Sequence, residues 1–404
     1  MAALLQVADA LAQVLQHAAP LPAEDVPLGE TAGRVLAADV AARITQPAAD
    51  VSAMDGYAVR AEDVAQAPAT LKVIGEVAAG HPFAAAVRSG ETARIFTGGV
   101  LPQGTDTVVI QENSTRQGDT VVINTPAPRR KNVRVRGLDF SEGDVLLPKG
   151  RRLTARDLML AAAMNHATLP VHRAPKVAVL GTGDELQLSG ATLEPGQVVY
   201  SNGFALGTLA RQEGAAVTDL GIAPDKVDAI AAAVRRARDM GADILVTAGG
   251  ASVGDHDLVQ QSLAAEGLTL SFWRVALRPG RPLMHGRLGR MHVLGLPGNP
   301  VSSYVCALLF LVPLIRRLTG RTDLSAISES ALAGADLPAN DERMDFLRAT
   351  LSAGSDGRLV ATPMPVQDSS MMAALAKADC LLIRPANAPP LHSGSQCPIV
   401  RLRF

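Results

Sequence analysis

Between residues 176 and 325, apolar runs with the pattern of strands alternate with amphipathic stretches with the pattern of helices. Three of these runs are KVAVLG at 176–181, AAVTDLGI at 215–222 and DILVTAGG at 243–250. The connections between the predicted strands and helices are short, as they are in folds where each strand is followed by a helix. The pattern therefore predicts a doubly wound α/β domain over 176–325, with a largely parallel sheet.

The segments that flank this unit have different patterns. Residues 51–139 are rich in glycine, proline and short β-like runs, which predicts a small inserted β domain. Residues 1–50 and 140–175 are expected to form a mixed, largely helical N-terminal domain whose two pieces pack together. Residues 330–404 hold short strand-like runs separated by turns, which predicts a C-terminal β-barrel domain, with a sandwich as the alternative. We therefore expect a multidomain α/β protein of four parts.

Composition argues against several classes of partner. The 404 residues carry a net charge of −1 and only 3% aromatic side chains, so neither electrostatic attraction nor base stacking favours nucleic acid. The apolar run at 305–315 is too short to span a bilayer, and no membrane partner is expected. The apolar N-terminus lacks a basic segment, which indicates an amphipathic helix rather than a signal peptide. Three scattered cysteines suit a reducing compartment, so the expected location is cytoplasmic.

Three glycine-bearing loops follow predicted strands of the α/β unit: GTGDE at 181–185, TAGGASVGDHDLV at 247–259 and GLPGNPVS at 295–302. Glycine permits positive φ and close approach of the backbone to a ligand, and helix N-termini bind anions. Ligands of open α/β sheets bind at the carboxyl ends of strands. Together the loops favour a phosphate-bearing ligand, although each alone also fits a strand-to-helix turn. None matches a dinucleotide-binding or P-loop pattern.

Polar side chains in these loops suit such a ligand. Asp184 and Glu185 offer carboxylate oxygens to a hard cation, and Ser252 offers a hydroxyl group. Two interpretations of Asp257 are open. Its carboxylate either interacts favourably with the dipole of the helix that follows, or holds a metal ion against a phosphate.

Other candidate residues lie outside the glycine loops. Arg278 and Arg281, in RPGRP, are suited to bidentate binding of an oxyanion, but isolated arginines are more often ordinary surface cations. Three turn-like motifs, SAMDGYAVR at 52–60, RIFTGGVLPQGTD at 94–106 and RVRGLDFSEGD at 134–144, contain Asp55, Thr97 and Asp139. Turn chemistry explains most of these residues individually.

Taken in order along the chain, the motifs resemble those of the molybdopterin molybdenumtransferase family, which is related to the gephyrin E-domain. The resemblance rests on SAMDGYAVR, RIFTGGVLPQGTD, RGLDFSEGD, GTGDEL, SNGF, GGASVGDHD, RPGRP and GLPGNPVS, and it covers essentially the whole chain. It implies the four-part architecture and an elongated homodimer. The active site is then expected between the α/β domain of one subunit and the inserted β domain of the other. Arg278 and Arg281 stand where the family usually has lysines, which keeps the charge and changes the geometry.

The resemblance also implies an activity: insertion of molybdenum from molybdate into adenylyl-molybdopterin, with release of AMP and with Mg²⁺ as cofactor. The implied catalytic residues are Asp55, Thr97, Asp139, Glu185, Asp225 and Asp257. The implied substrate-binding residues are Gly181, Thr182, Gly183, Asp184, Gly249, Gly250, Ser252, Gly254, Pro297, Gly298, Asn299 and Pro300. Molybdate is expected at Arg278, Arg281, Arg343 and Ser369, and the metal at Asp184, Glu185 and Asp257.

Two other functions are open alternatives. A non-enzymatic scaffold like the gephyrin E-domain would share this architecture, but the intact acidic and glycine-rich loops favour an enzyme. Molybdopterin adenylyltransferase shares the α/β domain, but it lacks the SAMDGYA region and the C-terminal barrel. That enzyme is also a candidate partner of this chain, beside the expected small-molecule partners, adenylyl-molybdopterin and molybdate.

Overall fold

The structure, a computed structural model, describes residues 4–249, 258–324, 328–354 and 356–402. The described residues form a discontinuous N-terminal part, an inserted β domain, an α/β domain and a C-terminal barrel. The predicted fold class is therefore confirmed.

A six-stranded sheet forms the centre of the α/β domain. Its strand order is Ala216–Ala223, Lys176–Thr182, Ile244–Ala248, Met291–Leu296, Met284–Leu288 and Thr269–Trp273. The first four strands run parallel, and the last two pairings are antiparallel. The helix Asn202–Gln212 and the helix that begins at Pro300 pack on one face, while Val227–Asp239 and Leu258–Ala265 pack on the other. Burial on both faces explains why central parallel strands such as Ile244–Ala248 are apolar runs, whereas the edge strand Ala216–Ala223 is only partly buried and contains polar residues.

The long helix Pro300–Leu318 runs through the core of this domain. It consists of the α-helical segment Pro300–Cys306, a π-helical turn Ala307–Leu311 and a second α-helical segment Val312–Leu318. Its 19 residues and mean hydropathy of 1.6 would suffice for a membrane span, but 83% of the apolar window is buried inside the protein, as in a core helix. The apolar run at 305–315 lies inside this helix.

The N-terminal part comes from two separated segments, but it is less helical than the sequence predicted. The strand Ala23–Pro27 pairs antiparallel with Thr168–His172, and Val40–Ala41 pairs with Val145–Leu147. The helix Ala155–Ala163 and the 3₁₀ turn Leu28–Glu30 pack beside them. A separate apolar cluster holds this part together, and its largest members include Leu36, Phe140, Leu147, Leu153, Met164 and Leu169.

The N-terminal helix forms as predicted, over Val7–Leu15, but it packs elsewhere. Its buried Ala10 and Val14 join the core of the α/β domain, together with residues of the long helix. The expectation that the first segment packs as a helix against 140–175 is therefore wrong for this helix.

The inserted domain is a six-stranded β-sheet. Its strand order is Thr107–Ile110, Gly56–Val59, Glu91–Ile95, Ala69–Val77, Thr120–Ile123 and Ser114–Gln117. A short pair, Val51–Ser52 with Val133–Arg134, joins the start and end of the domain. The 3₁₀ turns Ala61–Val64 and Gln111–Asn113 complete it.

The C-terminal part is a closed five-stranded barrel. Its strands are Ser328–Ala333, Met344–Ala353, Leu359–Pro363, Cys380–Arg384 and Gln396–Arg401, and the helix Met372–Lys377 is inserted before the fourth. Closure occurs because Met344–Ala353 pairs with both Leu359–Pro363 and Cys380–Arg384. The short strand Leu277–Arg278 of the α/β domain pairs with the start of this barrel strand. The barrel is thus joined directly to the α/β domain, and the sandwich alternative is excluded.

Candidate functional site

A pocket of about 790 Å³ lies at the carboxyl ends of the parallel strands Lys176–Thr182 and Ile244–Ala248. Its described lining residues belong to the α/β domain and to the start of the helix Met372–Lys377, with Ser370 just before it. The short parallel pair Leu186–Gln187 and Val198–Val199 forms one wall. Seven of the residues predicted from the sequence line this pocket: Thr182, Glu185, Gly249, Pro297, Gly298, Asn299 and Pro300.

Tyr200 forms a wall of the pocket that the sequence analysis did not single out. Its side chain lies where Gly181 and Gly203 leave space, because a Cβ at these glycines would come within 2.5 and 2.1 Å of the Tyr200 side chain. The hydroxyl group donates a hydrogen bond of 3.2 Å to Asp219 Oδ1, and burial raises the pKa of the phenol. Gly181 therefore leaves the space into which the Tyr200 side chain packs.

Gly249 follows the strand Ile244–Ala248 directly and lies against Thr182, the last residue of the neighbouring strand. It has φ +111°, which L side chains rarely adopt, and a Cβ there would lie 2.3 Å from the carbonyl oxygen of Thr182. Gly183 has φ +145°, and a Cβ at this position would lie 2.4 Å from Glu185 Oε2. Close approach to backbone thus requires glycine at 249, whereas at 183 the positive φ requires it. The remaining predicted residues of the second loop, Gly250, Ser252, Gly254 and Asp257, lie outside the described residues.

Asp184 and Asp225 meet across neighbouring strand ends. The backbone N–H of Asp225 donates to Asp184 Oδ1 at 3.0 Å, and the backbone N–H of Asp184 donates to Asp225 Oδ2 at 3.4 Å. Both residues are exposed, and Glu185 follows directly in the chain. The structure thus places Asp225 beside Asp184, and Glu185, the next residue, lines the pocket.

These carboxylates fit the chemistry of Mg²⁺. This ion prefers oxygen ligands and usually binds through one or two carboxylates together with substrate phosphates. Within the described ranges no group of three His, Cys, Asp or Glu side chains is placed to hold a metal ion, and Asp257 falls outside those ranges. The Asp184–Asp225 pair therefore suits an ion that also binds phosphate oxygens.

The loop before the long helix is tied to two other parts of the pocket. Asn299 occupies the N-cap position, and Pro300 follows at the helix start. The Asn299 side chain does not cap the helix; its Nδ2 donates to Ser369 Oγ at 2.9 Å. The Asn202 side chain donates to the carbonyl oxygen of Gly298 at 2.8 Å. These bonds connect the loop to a second helix and to the C-terminal part.

Arg348 holds the segment that carries Ser369, and no motif pointed to it. Its side chain is fully buried, and the guanidinium donates to Gln367 Oε1 at 3.2 Å and to the carbonyl oxygen of Asp368 at 2.7 Å. Burial lowers the pKa of Arg348. The backbone N–H of Val301 in turn donates to the Ser369 carbonyl at 3.0 Å. An arginine inside the apolar strand FLRATLS is the sequence signal that would have identified this residue.

Two of the predicted molybdate residues are paired with carboxylates. Arg278 Nε donates to Asp345 Oδ1 at 2.6 Å, and Arg278 Nη2 lies 3.3 Å from Asp341 Oδ2. Arg343 Nη2 lies 2.9 Å from the same Asp341 oxygen. Hydrogen bonds from Arg343 lower the pKa of Asp341 to about 2, whereas burial raises the pKa of Asp345. Arg278 and Arg343 therefore take part in the junction between the α/β domain and the barrel.

Arg281 differs from these two arginines. It is exposed, and in the described parts of the chain its side chain has no ion pair or hydrogen bond. It directly precedes Pro282, which lines the pocket. Of the three predicted molybdate arginines, Arg281 is thus the one without an ion pair among the described residues.

Asp55 and Thr97 lie together in the inserted β domain. The backbone N–H and the hydroxyl of Thr97 each donate to Asp55 Oδ1 at 2.8 Å. These two bonds lower the pKa of Asp55. Asp139 is exposed in the segment that leaves this domain, and its N–H donates to the Gln46 carbonyl at 3.1 Å. Within one subunit the structure joins Asp55 to Thr97, while the described pocket lining comes from other parts.

Comparison with known proteins agrees with this architecture. Three family models match successive parts of the chain: the MoeA N-terminal region (domain I and II) at residues 5–165, a probable molybdopterin binding domain at 178–317 and the MoeA C-terminal region (domain IV) at 330–402. A solved structure of the molybdopterin biosynthesis MoeA protein from Pyrococcus horikosii superposes with a TM-score of 0.86 at 30% identity, covering 100% of both chains.

Curated relatives share nearly the whole length. The molybdopterin molybdenumtransferase of Haemophilus influenzae is 36% identical over 366 residues, which is 90% of either chain. The Bacillus subtilis protein of the same name is 34% identical over 389 residues, or 94% of this chain and 90% of the relative. The resemblance seen in the motifs is thereby confirmed, and the chain belongs to the molybdopterin molybdenumtransferase family.

Proposed function

We propose that this protein inserts molybdenum from molybdate into adenylyl-molybdopterin and releases AMP, acting as a cytoplasmic homodimer that uses Mg²⁺. Its family consists of transferases of molybdenum-cofactor biosynthesis. The observation that carries the proposal is the convergence of three strand-end loops on one pocket of about 790 Å³. Pockets of this volume accommodate ligands of cofactor size.

The residues of the pocket have distinct roles in the proposed reaction. Gly249 and the 297–300 loop bind and orient adenylyl-molybdopterin by close backbone approach, and Tyr200 forms the wall beside them. Asp184 and Asp225 would hold Mg²⁺, with Glu185 beside them. When bound, Mg²⁺ would neutralise the negative charge of the substrate diphosphate. These acids therefore act at the anhydride whose cleavage releases AMP.

Molybdate is proposed to bind at the edge of the pocket that Pro282 and Ser370 line, next to Arg281 and Ser369. Arg281, which has no ion pair within the described ranges, directly precedes Pro282, and Ser369 accepts a hydrogen bond from Asn299. A guanidinium binds two oxygens of a tetrahedral dianion in one plane. Arg278 and Arg343 support this edge by fixing the junction with the barrel.

The homodimer is proposed because, within one chain, Asp55 and Thr97 belong to a different domain from the residues that line the pocket. Asp55 and Thr97 belong to the inserted β domain, while the described pocket lining belongs to the α/β and C-terminal parts. A second subunit that presents its β domain to the pocket would complete the site. The symmetric dimer would then hold two equivalent sites.

The proposal is tested by incubating the purified protein with adenylyl-molybdopterin and Mg²⁺, with and without molybdate, and measuring AMP. We expect AMP release that requires both molybdate and the divalent cation. Release at the same rate without molybdate would indicate simple hydrolysis, and no release under any condition would favour a scaffold.

A further inference from the structure

A run of cations in the inserted β domain is not used by the site described above. The sequence RRKNVRVR at 129–136 has five cations in eight residues and no carboxylate. All five side chains are on exposed residues. Arg129 Nε lies 3.1 Å from Asp106 Oδ2, and Arg136 Nε donates to the Ala48 carbonyl at 3.2 Å. The other three cations, Arg130, Lys131 and Arg134, have no ion pair or side-chain hydrogen bond within the described residues, and we call them the basic strip.

The backbone of the basic strip is firmly held. The N–H of Arg130 donates to the Asp106 carbonyl at 2.9 Å, and the Lys131 carbonyl accepts a bond of 3.0 Å from Val108. Arg130 has φ 66° and Asn132 has φ 56°, in the left-handed region that favours glycine. Turn chemistry therefore does not explain an arginine at position 130. The fold keeps a cationic side chain where glycine would adopt the backbone more easily.

The basic strip lies beside the Asp55–Thr97 pair. Arg134 belongs to the strand that pairs with Val51–Ser52, and the N–H of Ala53 donates to the Asn132 carbonyl at 2.9 Å. The Ser52 carbonyl accepts a bond of 2.9 Å from Gly98, which follows Thr97. One continuous backbone network thus connects the three cations to the two polar residues expected at the active site.

We propose that the basic strip captures the anionic substrate adenylyl-molybdopterin and steers it to the site that Asp55 and Thr97 help to form. This inference rests on the proposed function, since the substrate is anionic through its diphosphate. A local patch of one charge raises the local concentration of an oppositely charged ligand and accelerates association. The chain as a whole has a net charge of −1 and supplies no such attraction. A protein partner is a weaker explanation, because each side of a stable protein interface uses roughly 20–30 residues and the basic strip has three.

The test compares two triple variants with the same change of charge. One is Arg130→Gln, Lys131→Gln, Arg134→Gln; the control is Lys72→Gln, Arg88→Gln, Arg116→Gln, whose residues are also exposed on the β domain. The association rate constant of adenylyl-molybdopterin is measured without molybdate by stopped-flow pterin fluorescence, over a range of ionic strength. We expect the strip variant to lose about tenfold at low salt and to show a flatter salt dependence. The control should follow the wild type.

Several results would overturn the proposal. Equal losses in both variants would show a general effect of net charge, and an unchanged salt dependence in the strip variant would show that the strip does not meet the substrate. Normal association of free substrate, with a defect only when another protein delivers it, would assign the strip to a protein partner. If the wild type binds substrate but releases no AMP, the proposed function fails while the binding measurement still decides the role of the strip.

Discussion

Arg278 Nε donates a hydrogen bond of 2.6 Å to Asp345 Oδ1, and this bond joins the α/β domain to the barrel beside a parallel strand pair. Arg281, three residues later, has no such partner among the described residues. The two arginines of one motif therefore have different surroundings. Substituting each arginine by alanine therefore separates a role in the domain junction from a role in binding molybdate.

Arg278→Ala and Arg281→Ala are expected to have different effects. Arg281→Ala should raise the molybdate concentration for half-maximal AMP release by about ten- to hundredfold, because a charge-assisted hydrogen bond is lost. Arg278→Ala should instead lower the melting temperature by about 2 °C, since a partly exposed ion pair contributes about 1 kcal/mol or less. A molybdate titration of each variant, with thermal unfolding in parallel, checks both. A larger molybdate shift in Arg278→Ala than in Arg281→Ala would reverse the assignment.

Asp225→Asn is expected to weaken the response to Mg²⁺. The substitution keeps the size of the side chain and removes one of two facing carboxylates, so the Mg²⁺ concentration for half-maximal AMP release should rise by about ten- to hundredfold. Glu194→Gln, an exposed acid in the connection between Leu186–Gln187 and Val198–Val199, is the control and should behave as the wild type. An unchanged Mg²⁺ dependence in Asp225→Asn would remove this residue from the proposed metal site.

Acid should destabilise the protein through His285 and His292. Both are buried, their ring nitrogens Nε2 and Nδ1 lie 3.3 Å apart, and burial lowers the pKa of each below the usual value. The unfolded chain therefore binds more protons than the folded one as the pH falls below about 6.5. At pH 5 the loss should be about 2 kcal/mol for each histidine.

The double variant His285→Gln, His292→Gln tests this pH dependence. Denaturant unfolding of wild type and variant at pH 7 and pH 5 should show a smaller loss of unfolding free energy in the variant. Titration of the other groups is common to both proteins and cancels in the comparison. Equal losses would mean that the two histidines do not control the acid response.

Mixed dimers should reveal a site shared between subunits. Asp55→Ala and Glu185→Ala should each abolish AMP release, because they remove groups from the two halves of one site. After subunit exchange, half of the dimers carry both changes on different chains and keep one intact site, so about a quarter of the wild-type rate should return. Sedimentation should give twice the 42.0 kDa of the chain. No recovery in a verified heterodimer would place both residues in the same subunit's site.

The sequence predicted most of the architecture because its signals are local. The strands at 176–182 and 244–248 are apolar runs that end in glycine, and the pocket lies where such strands end. The packing of Val7–Leu15 was not predictable in this way, since an apolar stripe does not specify which apolar surface it will cover.

The unpredicted features of the site depend on contacts between residues distant in sequence. Arg278 meets Asp345 across 67 positions, and nothing near either residue signals the pairing. Its position in an apolar strand marks Arg348 as unusual, but the sequence does not show that its partner is the Asp368 carbonyl, 20 positions away. Tyr200 is recognised only by the space that Gly181 and Gly203 leave for it. Local sequence patterns therefore predicted where the loops lie, whereas the long-range contacts that fix the loops are visible only in the structure.

The central claim is tested most directly by the stoichiometry of the reaction. The protein is incubated with adenylyl-molybdopterin, Mg²⁺ and molybdate, and AMP is quantified together with molybdenum bound in the pterin product. We predict that one molybdenum is incorporated for each AMP released, and that omission of molybdate stops both. AMP released without incorporation of molybdenum would contradict the proposed function.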